Sequence, residues 1–253
     1  MNYRLLIQYD GTNFHGWQIQ ARERTVQGEI TQALRLLFNE DVHVSGSGRT
    51  DAGVHAEGQV ANFHLSKFFA AEKLRGALNG NLKRDVRILT VEEAAADFHA
   101  RFSATGKTYV YRIVNARVMS PFWMRYAMHE ARPLDLEKMQ KAAELLLGEH
   151  DWTAFSSARS DTESRVRKIS QSKFEIAYDA RAQTQILEFT ISANGFLRYM
   201  VRSLVGTLLE VGRGRKSLDA IKMAIETGEK SFTGTTAPAC GLTLLKVSYE
   251  SNA

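Results

Sequence analysis

Tyr3-Arg4-Leu5-Leu6-Ile7-Gln8-Tyr9-Asp10 sets the first element: Tyr3, Leu5, Ile7 and Tyr9 alternate with Arg4, Gln8 and Asp10, the period of two that lays one face of a β-strand on a core. Downstream, Val26, Ile30, Ala33, Leu34, Leu37 and Phe38 recur at helical spacing behind Thr25, a residue type that caps helix N-termini. Short strands are predicted at Val42–Ser45 and Gln59–Leu65, a helix from about Phe69 to Leu78, and a strand at about Val86–Val91. The order is β-α-β-β-α-β. A second pass gives the same order: strand Thr108–Val114, helix Leu136–Leu147 behind Asp135, strands Lys173–Tyr178 and Ile186–Ile191, helices Phe196–Val211 and Leu218–Thr227, and a last strand Leu242–Tyr249. This is the split βαβ order of ferredoxin-like modules. The fold class is therefore α+β, with two halves, 1–104 and 105–253, built on antiparallel sheets and joined near Ser103–Gly106. No Gly/Ser linker intervenes, so the halves are expected to pack around a cleft.

Composition agrees with a globular chain: 253 residues, 44% hydrophobic and 24% charged, exclude disordered, collagenous and disulfide-scaffold classes. The one cysteine, Cys240, has no partner for an internal disulfide, and no apolar run reaches membrane length. A soluble protein of the reducing cytoplasm is expected. The net charge of +5 decides little, but its distribution is informative. From Phe98 to His129 there is no acidic residue, while Arg101, Lys107, Arg112, Arg117 and Arg125 alternate with Tyr109, Tyr111, Phe122, Trp123 and Tyr126. A second cluster, Arg198, Arg202, Arg213, Arg215 and Lys216, is opposed in its stretch by Glu210 alone. Cations among aromatics suit a nucleic acid, whose phosphates they neutralise while bases stack on the rings; a solvated basic face is the plainer reading.

The most unusual segment is Ser45-Gly46-Ser47-Gly48-Arg49-Thr50-Asp51-Ala52-Gly53-Val54-His55-Ala56. Its glycines permit turns and close approach of other groups, and Arg49, two residues from Asp51, favours the carboxylate form that a nucleophile or base needs. An Asx-turn is the structural alternative. Arg198 and Arg202 stand at i and i+4 of the predicted helix and project from one flank of its apolar stripe. Tyr109, Tyr111 and Ile113 share a strand face, where core packing is the default and base stacking the alternative. No paired histidine spacing for a metal, P-loop or dinucleotide fingerprint is present, so a reaction without cofactors is expected.

Five blocks, in order, resemble the tRNA pseudouridine synthase A family: Gly48–Ala56; Tyr9-Asp10-Gly11-Thr12 with Gly16-Trp17-Gln18; Phe98–Ala104 running on to Lys107-Thr108-Tyr109; Gly195–Arg202; and Ala237-Pro238-Ala239 with Gly241-Leu242. The resemblance implies the pseudouridine synthase fold, two ferredoxin-like halves flanking a basic cleft. It also implies isomerisation of uridine to pseudouridine at positions 38, 39 and 40 of the tRNA anticodon stem-loop, with no cofactor or metal, by a cytoplasmic homodimer. By the same carry-over Asp51 is the essential carboxylate, Tyr109 stacks on the target uracil, Arg202 pairs with Asp51, and Arg49 fills the space of the extruded base. An ionised Asp51 can attack C1′, attack C6 or remove the 2′ proton. Two other readings stand beside this one. An aspartate-dependent glycoside or nucleoside hydrolase would want a second carboxylate or a metal, and the loop offers only Glu57. A non-catalytic RNA-binding module would gain nothing from a carboxylate in a basic groove.

Overall fold

A computed structural model of the chain describes residues 1–157 and 163–250. In chain order the elements are β1 (Asn2–Tyr9), α1 (Val26–Phe38), β2 (Ser45–Gly46), β3 (His55–His64), α2 (Ala71–Asn81), β4 (Val86–Ala94), β5 (Ala104–Asn115), β6 (Met128–Glu130), α3 (Leu136–Glu144), β7 (Gly148–Asp151), β8 (Val166–Asp179), β9 (Thr184–Ala193), α4 (Met200–Gly212), α5 (Leu218–Thr227) and β10 (Leu242–Tyr249). They divide into two units, Met1–Thr105 with the stretch from Thr243 on, and Gly106–Leu242.

In the first unit β1 lies between β4 and β3, antiparallel to both, with Leu5 opposite Val91 and Ala61. The alternation read from the sequence is realised: Tyr3, Leu5 and Ile7 are fully buried and Gln8 is exposed. The same core takes in the buried faces of α1 (Ile30, Leu34) and α2 (Leu74, Leu78), with α2 lying against β4 and α1. Side chains of this size each contribute about 1.5–3 kcal/mol by leaving water. Thr25 caps α1 by accepting from Gly28 N at 3.2 Å. The strand expected at 42–45 shrinks to Ser45–Gly46, because the Val44 carbonyl is taken by the Gln27 side chain at 2.8 Å rather than by a neighbouring strand. Conversely β3 starts at His55, four residues before the expected start, and is buried almost throughout, the pattern of a central strand, which alternation does not reveal.

The closing strand is the main difference in organisation. The sequence predicts a second half that extends to 253, whereas β10 runs parallel to β3 in the first unit, with Thr243 opposite His55 and Leu244 opposite Ala56. Gly58 permits this: a Cβ there would stand 2.4 Å from the Leu245 carbonyl oxygen.

In the second unit β5, β9, β8 and β7 pair antiparallel in that order, and β6 adds to β5 in parallel. Tyr111, Ile113, Phe189 and Ile191 are buried along the sheet, as are Met139 of α3, Leu204 and Leu208 of α4, and Ile221 of α5. Asp135 and Ser217 cap α3 and α5 through the backbone N–H of Lys138 and Ala220, and Gly228 closes α5 in the left-handed region. Both β6 and β7 are too short, at three and four residues, to show a period. The α4 helix starts at Met200 rather than Phe196, because Tyr199 has φ 65° and ψ −1°, left-handed geometry that no α-helix continues through.

Candidate active site

Asp51 sits half-buried in the turn between β2 and β3, with Arg49 exposed beside it and Thr50 buried. The turn is fastened from both ends. Ser47 N donates to Val60 O at 2.7 Å and Ser47 Oγ to Gln59 Oε1 at 2.7 Å, while Gln59 Nε2 donates to the Gly48 carbonyl at 3.0 Å. On the other side the segment after β1 forms a platform: Trp17 N donates to Thr50 O at 3.1 Å and Gly53 N to Phe14 O at 3.2 Å. Contact is close enough to require glycine. At Gly16, φ +87°, a Cβ would stand 2.5 Å from Thr50 O and 3.2 Å from the Asp51 carbonyl carbon; at Gly11 it would stand 2.0 Å from Val54 O. Blocks separated by some thirty residues in the sequence thus form one structure whose function is to fix the Asp51 backbone.

Beneath the turn, the Tyr9 hydroxyl meets Thr50 Oγ1 at 2.8 Å, and burial pushes this phenol up to about 12. His55 is buried, with Nδ1 3.0 Å from Gly11 N and 3.3 Å from Asp10 Oδ1. A neutral ring accepts the Gly11 proton there, and a protonated one donates to Asp10. The platform is anchored in turn by Arg24, whose guanidinium binds both oxygens of Asp85 at 2.6 and 2.8 Å, reaches Glu29 at 2.7 Å, and lies 4.1 Å from the Phe14 ring centroid. Arg24 holds the Asp85 carboxyl below the usual range.

The other sequence-predicted residues belong to the second unit. Tyr109 lies on β5 opposite Ile191, 7% exposed, its ring edge-on to Phe196 with centroids 5.2 Å apart. Core packing therefore covers most of the ring. Arg202 projects from the first turn of α4, where Nε donates to the Ala237 carbonyl at 2.8 Å and Ala237 N donates back to Arg202 O at 3.0 Å. That segment can approach because the helix has no side chain at Gly206, where a Cβ would be 1.7 Å from Thr235 O, and because Thr207 Oγ1 accepts from Gly234 N at 2.8 Å. The Tyr111 hydroxyl donates to Pro238 O at 2.9 Å. Burial pushes the Tyr111 phenol up. Arg198 is not on the helix beside Arg202, as its i, i+4 spacing implied. It lies in the preceding turn, exposed, with its guanidinium 5.0 Å from the Tyr199 ring centroid.

The basic clusters separate once their partners are visible. Arg213 is bound by Glu130 and by Glu210, the latter at 2.6 Å, and Arg215 lies 3.5 Å from Glu210. Burial raises the Glu130 carboxyl, but the Arg213 guanidinium and the Arg132 backbone N–H together outweigh it and hold the group below its ordinary value. Arg112 pairs with Glu188 across β5 and β9 at 2.8 Å. Arg112 and Arg213 serve the fold, whereas Arg49, Arg101, Arg117, Arg125, Arg198 and Arg215 are exposed. Sequence reasoning missed Tyr199, the Gly206–Gly234 contact and the roles of Gly11 and Gly16. A mid-helix glycine was the one available signal for the second of these. Among the described residues no three His, Cys, Asp or Glu side chains group as a metal site needs, and no helix is long and apolar enough to cross a membrane.

A family model described as tRNA pseudouridine synthase matches residues 5–103 and 142–250, which include the Asp51 turn, its platform and the α4 segment. A protein named tRNA pseudouridine synthase A from Geobacillus sp. (strain WCH70) is 44% identical over 245 residues, 96% of each chain. Its namesakes from Listeria innocua and Xanthobacter autotrophicus are 44% and 41% identical, covering 98% of this chain and 99% of theirs. A glycine-clamped aspartate turn and an arginine tied to a returning segment, found within such full-length similarity, place the chain: it belongs to the tRNA pseudouridine synthase family.

Proposed function

We propose that this protein isomerises uridine to pseudouridine in tRNA, at positions 38, 39 and 40 of the anticodon stem-loop, with Asp51 as the essential carboxylate. The observation that carries the reading is the clamping of the Asp51 backbone between Ser47–Gly48 and Gly16–Trp17. A carboxylate carried on a backbone fixed in this way is preorganised for a reacting atom, and preorganisation supplies much of a catalyst's advantage. In the reaction C1′–N1 breaks, the uracil turns, C5 bonds to C1′, the C5 proton leaves and N1 gains one, so nothing is consumed. A paired base cannot reach a carboxylate, so the uridine is flipped out at a cost of a few kcal/mol. On this reading Tyr109 stacks on the flipped uracil, Arg49 fills the vacated space, and Arg202 pairs with Asp51 to keep it ionised. The ferredoxin-like character of the two halves, a basic cleft for the stem, a homodimeric assembly and a cytoplasmic location are parts of the same proposal.

Tritium release from tRNA carrying 5-tritiated uridine tests it. The wild-type protein should release tritium and leave pseudouridine. Asp51→Asn should lose at least about 10³-fold in rate while still binding tRNA in a filter assay. Free uracil among the products would assign a glycosidic hydrolase, and full retention of tritium by a tightly bound tRNA would assign a binding module.

A further inference from the structure

Tyr199 is one of four non-glycine residues with positive φ among the described residues. At φ 65° and ψ −1° it occupies the left-handed region, which L-residues with bulky side chains rarely adopt. Its backbone is not serving a side-chain cap, since Tyr199 makes no capping bond to α4. Its ring is where the geometry has a consequence. The Arg202 guanidinium carbon lies 5.5 Å from the ring centroid and that of Arg198 5.0 Å, and Arg198 Nη2 donates to the Tyr199 hydroxyl at 3.3 Å. A right-handed residue here would start α4 one residue earlier. Glycine would adopt this conformation without cost, so the fold alone gives no reason for a tyrosine. Residues held in sparsely populated backbone regions point to function when a specific contact depends on them, and here the contact is with the guanidinium assigned to Asp51.

We infer that Tyr199 is a positioning residue for Arg202: its left-handed backbone sets its ring against the guanidinium, while the Ala237 carbonyl fixes Nε, so that few orientations of the cation remain. The inference rests on the proposed role of Arg202. It gives Tyr199 no contact with substrate. The ring restricts the cation by cation–π attraction and by bulk, and a misplaced catalytic group can lower the rate on the order of 10²-fold.

Three substitutions separate ring from backbone. Tyr199→Gly relieves the strained conformation and deletes the ring, and Tyr199→Asn does the same with a residue tolerant of this region. Tyr199→Phe keeps the ring. The expected result is that Gly and Asn leave the melting temperature equal to or above wild type and KM for tRNA within about 2-fold, but lower kcat on the order of 10-fold or more. Phe should retain kcat within about 2-fold. In an Arg202→Met background, Tyr199→Gly should lower kcat no further, as expected for residues acting as one unit. Unchanged kcat in the Gly or Asn variant, or equal losses in Phe and Gly, would overturn the inference. If Arg202→Met itself keeps wild-type kcat, the assigned role of Arg202 fails and the positioning role with it. An inactive Arg202→Met beside an active Tyr199→Gly overturns the positioning role alone.

Discussion

The backbone of Asp51 and the guanidinium of Arg202 are immobilised by different means. The turn is held mostly main chain to main chain, by Trp17 N on Thr50 O, Gly53 N on Phe14 O and Ser47 N on Val60 O, with the Gln59 amide on the Gly48 carbonyl and with Gly11 and Gly16 where a Cβ would collide. The Arg202 guanidinium is held through its side chain, by contacts that include the Ala237 carbonyl and the Tyr199 ring. Backbone clamping demands particular residues at particular places, because only glycine tolerates both the approach and the dihedral. Side-chain clamping demands a contact that several residue types can make. The first therefore leaves a dense signature in the sequence, and the second a sparse one.

The largest break in this comparison should come at Gly16. Alanine there meets a φ of +87° and places its Cβ 2.5 Å from the Thr50 carbonyl oxygen, a backbone atom that moves only if the turn moves. The conformational and steric costs together amount to about 2–3 kcal/mol. Because the displaced backbone is that of Thr50–Asp51, Gly16→Ala should lower the rate of pseudouridine formation on the order of 10²-fold even at temperatures where it stays folded. Urea unfolding alongside the tritium assay checks both. Wild-type activity in a protein destabilised by that amount would show that the turn tolerates displacement.

The same contrast explains what was legible in advance. The Tyr3–Tyr9 alternation and the Thr25 and Asp135 caps all correspond to local chemistry, and the structure realises each. The Gly48–Ala56 turn stood out because glycine density is itself the record of close approach. What stayed hidden depends on partners remote in sequence. Val44 lost its strand to the Gln27 amide, and β10 joined β3 because Gly58 lacks a Cβ. Arg213 looked available until Glu130, eighty-three residues away, appeared beside it. Tyr199 gave no signal, since its backbone geometry is set by tertiary contacts and no local rule predicts a left-handed tyrosine.

A smaller break should come at Arg24, the side-chain anchor beneath the backbone-clamped turn. Its pair with Asp85 is about three-quarters buried on both sides, so Arg24→Met should cost about 2 kcal/mol at pH 7, below the value for a fully buried pair. The pH dependence follows from Asp85, whose carboxyl Arg24 depresses. A depressed acid stabilises the fold above its unfolded pKa of about 3.9 and ceases to do so as pH falls through the lower folded value. The stability gap between wild type and Arg24→Met should therefore be full at pH 7 and narrow progressively below about pH 4, as urea unfolding at several pH values would register. A gap independent of pH would mean that packing on Phe14, rather than the ion pair, is what Arg24 contributes.

The finest test lies at Tyr109, where side-chain clamping and proposed substrate contact meet on one ring. Phe196 covers the ring edge-on and leaves it 7% exposed, so any base that stacks on it meets a surface whose orientation is already set. Fixing the ring beforehand removes the entropy cost of ordering it on binding. The hydroxyl adds nothing to stacking itself, which uses the π-face. Tyr109→Phe should thus bind tRNA within about 2-fold of wild type, whereas Tyr109→Ala should lose roughly 1–3 kcal/mol of binding in addition to a cavity penalty in the sheet. Measuring tRNA affinity well below the melting temperature of each variant separates the two losses. If Phe loses as much affinity as Ala, the hydroxyl is the recognising group and the ring is core alone; if neither loses any, uracil stacks elsewhere and Tyr109 belongs wholly to the packing of β5 against Phe196.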